Sequence, residues 1–495
     1  MRKTKIIATI GPASSNEETL SCMLRAGMNV AWFNMSHGSY DEQKFKMDMV
    51  KRVSEKLDTN IALLLDTKGP EIRLGDFSEE KVLLIEGKKF TLTTEDVMGT
   101  EEKASISYKG LINDVKVGTN ILLNDGLVML EVQKITATDI ICDIKNTGIV
   151  KSKKSVNVPN VKTNMEFLTK KDMDDLKFGV DNNVDYIAAS FVRCKEDVVS
   201  MRNYIESIGG RDIKIIAKIE NQEGIDNLEE IVSVSDGVMI ARGDMGVEVP
   251  IHNLPVIQKR IIKECFNNGK IVVTATQMLE SMITNPRPTR AEVSDVANAV
   301  YDGTSAIMLS GETATGKYPV ECIQMMDSIA SKVEEDIDYW SRLKKNKVEN
   351  LGEYVTLQDS ETTHGKGILR KQINYSVASS AMYTGAKAIV CVSKSGKTPA
   401  VLSSYRPKCP IYVLTYDKTT YRQKAVQWGK KTIYIEENKF ENIVEKGINE
   451  LISLGYISKG DIVILAGGTT KDSENDSYLS SQTMGAVVRI KRLYR

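Results

Sequence analysis

The chain has 495 residues, 41% of them hydrophobic and 27% charged, which is typical of a soluble globular protein with about two to four domains. Its 66 basic and 66 acidic residues give a net charge of zero, which argues against a nucleic-acid or membrane-surface protein because both need a basic field. Seven scattered cysteines favour reduced thiols in a cytoplasmic protein, and no segment has the character of a signal peptide or a membrane span.

Short runs rich in Val and Ile recur through the first 312 residues and alternate with stretches of helical spacing, such as Glu17–Ala26, Asp41–Lys56 and Asp226–Val232. Eight buried strands that alternate with helices predict an α/β fold of the (β/α)8 TIM-barrel type, with an open doubly wound sheet as the alternative. The predicted strands are Lys5–Ile10, Asn29–Met35, Ile61–Thr67, Tyr186–Val192, Ile213–Glu220, Gly237–Asp244, Lys270–Gln277 and Ser305–Glu312.

The interval Lys68–Asp185, between the third and fourth strands, is too long for one crossover. It contains alternating segments separated by Gly, Asp and Asn, which is typical of small antiparallel strands with tight turns. We therefore predict a small β-barrel domain inserted at residues 70–161, which leaves residues 1–69 and 162–340 for the barrel. The third loop lies on the face where barrel active sites lie, so the insertion can act as a lid. Its predicted strands include Val82–Ile85, Asn120–Leu123, Leu127–Val132 and Ile140–Ile144.

A second α/β pattern follows the polar stretch Arg342–Lys371 and predicts a separate C-terminal α/β domain over residues 341–495. Its predicted strands are Ala388–Ser393, Ile411–Tyr416, Thr432–Ile435 and Asp461–Gly467, and its predicted helices are Pro399–Tyr405, Tyr421–Trp428 and Asn442–Leu454.

Polar side chains follow the apolar runs of most predicted barrel strands. A single polar strand end is ordinarily just solvated, but barrel chemistry is built from several strand ends, so the concerted pattern predicts one site at the carboxyl face. The residues are Asn34 and Ser36 after the second strand, Asp66, Thr67 and Lys68 after the third, Lys218 and Glu220 after the fifth, Arg242 and Asp244 after the sixth, Thr274 and Thr276 after the seventh, and Ser310 and Glu312 after the eighth.

Glu220 and Asp244 come from adjacent strands with no His or Cys nearby, so their oxygens suit Mg²⁺ better than zinc. Lys218 shares a face with Glu220 because strand side chains alternate with period two. A simple ion pair between these two residues is the structural alternative, and both arrangements can hold at once. A lysine beside a carboxylate-bound metal suits phosphoryl transfer, which needs positive charge and positioning.

Several long segments carry a family resemblance. They are TIGPAS from Thr9, NMSHG from Asn34, DTKGPEIR from Asp66, SVNVP from Ser155, AKIENQEG from Ala217, ARGDMGVE from Ala241, ATQMLESM from Ala275, NPRPTRAEVSDVANAV from Asn285 and MLSGETA from Met308. With these segments the chain resembles the pyruvate kinase family, most strongly in the barrel and more weakly after residue 340. The resemblance implies a cytoplasmic, allosteric, homotetrameric kinase of glycolysis. Such an enzyme moves the phosphoryl group of phosphoenolpyruvate onto ADP, yields pyruvate and ATP, and uses Mg²⁺ (or Mn²⁺) and K⁺.

The resemblance also implies roles for individual residues. Lys218 would contact the transferred phosphoryl group, Thr276 would help to protonate the enolate, and the backbone at Gly243 and Asp244 would receive the substrate carboxylate at a helix N-terminus. The remaining sets are Glu220 and Asp244 for the divalent metal, Asn34, Ser36, Asp66 and Thr67 for potassium, and Thr9, Pro12, Asn34, His37 and Arg73 for the nucleotide, with Arg73 also catalytic.

Two positions depart from the family pattern. Trp32 stands where the family has an arginine that binds the transferred phosphate, and Cys194 stands where it has a lysine near the nucleotide phosphates. Lys195 follows and could shift to serve instead, although on a regular backbone it points elsewhere. Each lost charged hydrogen bond is worth roughly 1.5–3 kcal/mol. One alternative is therefore a catalytically impaired paralogue that binds phosphorylated metabolites. Another is a different magnesium-dependent barrel enzyme acting on phosphoenolpyruvate or pyruvate, which the potassium and nucleotide matches argue against.

The C-terminal domain contains a loop that is similar to the family's phosphorylated-effector loop. It comprises Ser393, Lys394, Ser395, Gly396, Lys397 and Thr398. Its hydroxyls, lysines and N–H groups precede a helix predicted to begin at Pro399 with Thr398 as N-cap, an arrangement that suits an anion. A capped surface loop is the alternative, and Gly467–Thr470 is a predicted second wall.

Overall fold

The first part of the chain closes eight parallel strands into a barrel, as predicted. The computed structural model describes residues 1–350, 363–437, 439–468 and 486–492. In it every barrel strand pairs in parallel with two neighbours, and the last strand pairs with the first, so the open-sheet alternative is wrong. The barrel strands are Lys5–Thr9, Val30–Asn34, Ala62–Asp66, Tyr186–Ala189, Lys214–Ile219, Gly237–Ala241, Ile271–Ala275 and Ala306–Leu309.

The sixth and eighth barrel strands end earlier than predicted. The sixth strand stops at Ala241, and Arg242–Glu248 forms a helix instead of further strand. The eighth strand stops at Leu309, and Gly311–Ala314 forms a short helix. The polar residues that were read as strand ends therefore begin the next element, which turns their backbone N–H groups toward the carboxyl face.

The barrel helices begin at polar caps. The side chains of Asn16, Ser39, Thr169 and Thr289 each accept a hydrogen bond from the backbone N–H three residues on, and the last three form capping boxes. The predicted helix Asp226–Val232 is instead broken at Asn227. The helices are Glu17–Arg25, Tyr40–Lys56, Lys170–Asp181, Lys195–Ser207, Gln222–Asp226, Leu228–Val234, Arg242–Glu248, Leu254–Asn267, Arg290–Asp302, Gly311–Ala314 and Pro319–Asp336, with 3₁₀ turns at Ile251–Asn253 and Glu280–Ile283.

The predicted β-rich insertion forms between the third and fourth barrel strands and has its own core, which includes Phe90, Ile121 and Leu130. Six strands form one sheet and two form another. Asn157 Nδ2 donates to Glu248 Oε1 at 2.8 Å, and this bond ties the insertion to the helix after the sixth barrel strand. The elements are the strands Val82–Leu84, Lys89–Thr93, Lys103–Ser105, Asn120–Leu123, Val128–Ile135, Asp139–Ile144, Gly148–Val150 and Val156–Asn157, and the helix Leu111–Asp114.

The C-terminal domain is a five-stranded sheet with helices, and its four predicted strands are confirmed. The fifth strand, Ala486–Arg492, pairs antiparallel with Ile462–Gly468 and was not predicted. The other strands are Ala388–Val392, Ile411–Thr415 and Lys430–Tyr434; the helices are Tyr339–Asn350, Thr363–Tyr383, Lys397–Ser404, Lys418–Gln423 and Phe440–Ser453, with a 3₁₀ turn at Lys424–Val426. No helix among the described residues is long and apolar enough to cross a membrane.

The C-terminal domain packs against the amino end of the barrel. Ala425 and Val426 join the cluster of side chains that fills the barrel interior. Tyr186 Oη donates to the backbone oxygen of Gln423 at 2.7 Å, a contact that is buried. This domain therefore covers the end of the barrel opposite the predicted site and leaves the carboxyl end open.

Candidate active site

The carboxyl ends of the barrel strands surround a cavity of about 550 Å³, which we call the mouth cavity. It collects most of the predicted site residues from separate strands, as expected for a barrel. The predicted residues that line it are Thr9, Pro12, Asn34, His37, Asp66, Lys218, Glu220, Asp244 and Thr276. Trp32 and Lys46 line it as well. The lining does not include Ser36, Thr67, Arg73 or Gly243, all of which lie in the described part of the chain.

Lys218 is the centre of the polar network in this cavity. Its Nζ lies 3.0 Å from Glu220 Oε1 and 3.2 Å from Asp66 Oδ1, and it donates to Ser190 Oγ at 2.8 Å. Ser190 Oγ in turn contacts Asp66 Oδ1 at 3.1 Å and the Thr67 carbonyl at 2.7 Å. The network holds the ammonium group in one place. Sequence reasoning missed Ser190, although it directly follows the fourth strand and so fits the pattern of polar strand ends.

The charges of the mouth cavity do not balance within the described residues, because the two lysines that line it, Lys46 and Lys218, are outnumbered by the carboxylates of Asp66, Glu220 and Asp244. Burial acts to lower the pKa of Lys218, but these carboxylates more than offset it and raise the pKa. Burial raises the pKa of Glu220, an effect that Lys218 opposes and Asp244 reinforces. The site therefore carries an excess of acidic groups that a bound cation would relieve.

Two carboxylates, those of Glu220 and Asp244, have oxygens available to such a cation. Glu220 is fully buried, and its Oε2 accepts the backbone N–H of Phe191 at 2.6 Å. Its Oε1 has no hydrogen-bond donor directed at it in the described structure, although Lys218 Nζ is near. The Asp244 carboxylate has no hydrogen bond or ion pair with another described residue. These donors fit a hard divalent cation that takes its other ligands from water and substrate.

Thr276 is held in an unusual backbone conformation beside these carboxylates. Its φ angle is +69°, in the left-handed region that a β-branched residue rarely adopts. Arg242 fixes it there, because its guanidinium donates to the Thr276 carbonyl at 2.7 Å and pairs with Asp295 at 2.8 Å. The Thr276 hydroxyl accepts the Gly243 N–H at 2.8 Å. The N–H predicted to receive the substrate carboxylate is thus bonded to the hydroxyl predicted to serve the enolate.

The four residues predicted for potassium lie at the ends of the neighbouring second and third strands. Asn34 and Asp66 are paired in register. Asn34 Oδ1 accepts the Ser36 N–H at 2.8 Å, and the Thr67 carbonyl accepts Ser190 Oγ. The structure places these residues at neighbouring strand ends, and their potassium role stays a prediction.

Arg73 does not reach the mouth cavity. It lies in the insertion, where its guanidinium pairs with Glu71 at 2.7 Å and donates to the Lys153 carbonyl at 2.9 Å. A second cleft, of about 260 Å³, separates the insertion from the barrel and is lined by Glu71, Lys162 and Asp244 among others. Arg73 would therefore act on a bound nucleotide only after the insertion moves toward the barrel.

Trp32 occupies the predicted arginine position and is 3% exposed. It packs with the side chains that fill the barrel, and Lys218 Nζ lies 5.9 Å from the centroid of its ring. Cys194 precedes the helix Lys195–Ser207 and does not line the mouth cavity. Lys195 pairs with Glu230 at 3.4 Å and does not line the mouth cavity.

The predicted effector loop lies between a strand and a helix, but the helix begins at Lys397 instead of Pro399. The N-cap is Gly396 with a φ angle of +67°, and no side chain caps the helix, so the prediction of Thr398 as N-cap is wrong. Ser393 Oγ accepts the Gly396 N–H at 2.9 Å. The left-handed φ angle at Gly396 explains the glycine, because other residues rarely adopt that conformation. Thr469 and Thr470 lie outside the described residues.

These features define the chain as a (β/α)8-barrel enzyme with an acidic, lysine-containing mouth cavity and a lid-like insertion. Residues 1–323 match the pyruvate kinase barrel domain, and residues 371–477 match the pyruvate kinase alpha/beta domain. The chain belongs to the pyruvate kinase family. Its function is the predicted transfer of the phosphoryl group of phosphoenolpyruvate to ADP in glycolysis, and the alternative of an impaired paralogue is not favoured.

Known pyruvate kinases align with nearly the whole chain. The pyruvate kinase of Staphylococcus haemolyticus is 47% identical over 471 residues, which cover 94% of this chain and 78% of the relative. The pyruvate kinase of Clostridium acetobutylicum is 45% identical over 473 residues, which cover 94% of this chain and 96% of the relative. The crystal structure of a pyruvate kinase from Cryptosporidium parvum superposes with a TM-score of 0.90 at 33% identity, and the match covers 99% of this chain and 96% of that one.

Proposed function

We propose that the pyruvate kinase reaction takes place in the mouth cavity, with Lys218 on the transferred phosphoryl group and Glu220 and Asp244 as ligands of Mg²⁺ or Mn²⁺. The observation that supports this most is that the Lys218 ammonium lies among three carboxylates, those of Asp66, Glu220 and Asp244. The ammonium offers the positive charge that phosphoryl transfer requires, and the surplus carboxylates offer a place for the metal. Pyruvate formation that requires phosphoenolpyruvate, ADP and a divalent ion tests the proposal.

The divalent ion, when bound, would supply charge neutralisation for the phosphoryl oxygens. The protein's own groups do the rest. Lys218 is fixed by Asp66, Glu220 and Ser190, so little reorganisation is needed as charge develops on the transferring oxygens. The Thr276 hydroxyl, held in place by the strained backbone, is the proposed participant in proton delivery to the enolate carbon. Gly243 and Asp244 are the proposed binders of the substrate carboxylate, once the Thr276 hydroxyl releases the Gly243 N–H.

The other ligands are assigned around this centre. Potassium is proposed at Asn34, Ser36, Asp66 and Thr67, whose oxygens suit a hard cation. ADP or ATP is proposed on the Thr9, Pro12, Asn34 and His37 side of the cavity. Arg73 would join this site when the insertion closes, and closure would also exclude water from the reacting groups.

Several further properties are proposed from family membership. They are a homotetramer in the cytoplasm, allosteric control by a phosphorylated compound, and domain boundaries at residues 69/70, 161/162 and 340/341. The effector is proposed to bind at Ser393–Thr398. Support comes from the glycine-started helix, from the two lysines of the loop, and from Thr420 Oγ1, which fixes the loop through the Lys394 carbonyl at 2.6 Å.

The effector site makes a measurable prediction. Lys394→Ala combined with Thr398→Ala is expected to weaken binding of a phosphorylated effector by at least about tenfold, because a charged hydrogen bond contributes roughly 1.5–3 kcal/mol. Calorimetry with sugar phosphates and nucleoside monophosphates measures this. Lys418→Ala, outside the loop, is the matched control and should bind like the wild type. Equal affinity in the double variant and the wild type would place the effector elsewhere.

A further prediction concerns Trp32. If positive charge limits the rate, Trp32→Arg is expected to raise kcat/KM by roughly one to two orders of magnitude through one added charged contact. The gain appears in kcat if the contact strengthens in the transition state, and in KM if it binds both states equally. Trp32→Phe is the control that changes the ring without adding charge. A folded Trp32→Arg variant with unchanged or lower activity would show that the cavity has no need of this charge.

A further inference from the structure

The interface between the amino end of the barrel and the C-terminal domain concentrates basic side chains away from solvent. Arg406 is 3% exposed, Lys430 is 1% exposed and Lys5 is 6% exposed. Buried charges are normally paired, because an isolated charge in a protein interior is costly. The partners of these three residues are therefore informative.

Only some of the N–H donors of Arg406, in the C-terminal domain, have hydrogen-bond partners. Its Nη2 donates to the Gly303 carbonyl at 2.8 Å and to Ser305 Oγ at 3.2 Å, both in the barrel. Its Nε and Nη1 are buried and have no hydrogen-bond partner among the described residues. The guanidinium lies over the ring of Trp428, 4.6 Å from its centroid. An arginine stays protonated at physiological pH, so two charged donors are buried without an acceptor among the described residues.

Two buried lysines, Lys5 and Lys430, lie near Arg406. Lys430 Nζ donates to the Gln427 side-chain oxygen, and Lys5 Nζ donates to the Lys430 carbonyl at 2.6 Å. Burial lowers the pKa of Lys430, and the neighbouring charges of Lys5 and Arg406 lower it further. The nearby carboxylate is Glu334, whose oxygens accept the N–H groups of Lys3 and Thr4 at 2.7 and 2.6 Å. Neutral acceptors thus hold Lys5 and Lys430, and burial also lowers the pKa of Lys5 to about 7. The positive charge without a partner is therefore mainly that of Arg406.

A small cavity of about 20 Å³ lies where these side chains meet, and Arg406, Lys430, Ser305, Gln427 and Trp428 line it. A cavity of this size has room for about one water-sized occupant. A phosphate or carboxylate group is too large for it. Water would satisfy the hydrogen-bond donors but would leave the excess positive charge in place.

We propose that this cavity binds one small inorganic anion of about the size of chloride, held by Arg406 and Lys430. The anion accepts one of the unpartnered N–H groups of Arg406 and balances the charge of its guanidinium. Arg406 already links the C-terminal domain to Gly303 and Ser305 of the barrel. Binding therefore strengthens the contact between the two domains, at a place separate from both the mouth cavity and the effector loop.

Bromide, a chloride analogue with an anomalous X-ray signal, tests the site directly on the wild-type protein. Crystals soaked in sodium bromide are expected to show an anomalous peak within hydrogen-bonding distance of Arg406 Nε or Nη1. Ordered bromide at surface sites with none in this cavity would overturn the proposal and would leave water as the occupant.

A solution experiment uses the linkage between binding and stability. At constant ionic strength, replacement of gluconate, which is too large for the cavity, by chloride is expected to raise the unfolding midpoint. The expected rise is about 1–2 °C for each tenfold increase in chloride above its dissociation constant. Arg406→Gln should abolish this rise, whereas Lys408→Gln, which removes an exposed charge two residues away, should retain it.

An equal rise in wild type, Arg406→Gln and Lys408→Gln would show a general salt effect and would contradict the site. If Arg406→Gln does not fold, Lys430→Met allows the same comparison, because it removes the other proposed ligand. The bromide experiment needs no variant, so its outcome stands in either case.

Discussion

Replacement of Asp244 by asparagine is expected to lower magnesium-dependent turnover by roughly three orders of magnitude. The amide would keep the shape of the side chain but would remove the negative charge that the metal requires, and a catalytic metal supplies several kcal/mol of transition-state stabilisation. The fold should survive, because the Asp244 carboxylate makes no hydrogen bond or ion pair with the residues that the structure describes. Steady-state kinetics over a range of Mg²⁺ concentrations, with thermal unfolding alongside, measures both effects.

Asp226→Asn is the matched control for that variant. Asp226 is exposed and lines the cleft between insertion and barrel together with Asp244, but it does not line the mouth cavity. Its replacement should change turnover by less than about threefold. Asp244→Asn with wild-type turnover and wild-type magnesium dependence would show that the metal binds elsewhere.

Lys218→Met is expected to lower kcat by roughly two to three orders of magnitude, the range found when a preorganised donor to a developing negative charge is removed. KM for phosphoenolpyruvate should change less, because the contact strengthens mainly in the transition state. The variant should also lose stability when metal is absent, because Asp66, Glu220 and Asp244 then face one another without the ammonium. Added Mg²⁺ should restore more stability to the variant than to the wild type.

Lys46→Met is the control for this prediction, since Lys46 lines the same cavity and forms no ion pair with another described residue. We expect a change of less than about tenfold in kcat. If Lys218→Met keeps kcat within a factor of ten of the wild type, then Lys218 does not contact the transferred group.

Much of the fold could be predicted from the sequence because it rests on local patterns. The eight barrel strands are short runs of Val and Ile buried on both faces, and each prediction overlaps the observed strand. Strand ends were less predictable, because residues such as Arg242 continue a polar pattern while the backbone has already turned into a helix. The strand Ala486–Arg492 was missed because its place beside Ile462–Gly468 depends on long-range pairing.

Some features of the candidate site could likewise be predicted from local sequence patterns, and others could not. Lys218 and Glu220 could be placed side by side from strand periodicity alone, and their contact of 3.0 Å confirms it. Ser190 was missed because a serine has no charge to attract notice, and its role depends on three partners from other strands. The position of Arg73 depends on how the insertion is oriented toward the barrel, which no local pattern encodes. The N-cap at Gly396 was missed because Thr398 and Pro399 carry a common helix-start pattern, whereas the helix begins at Lys397 after a glycine with a left-handed φ angle.

The proposed activity is tested most directly by measuring pyruvate formation from phosphoenolpyruvate and ADP. A coupled reduction of the pyruvate to lactate serves as the readout. We predict that the purified chain forms pyruvate and ATP in equal amounts, that omission of ADP or of the divalent ion stops the reaction, and that omission of K⁺ slows it. Absence of pyruvate above background with all components present, from a protein shown to be folded, would contradict the assignment of this activity to the mouth cavity.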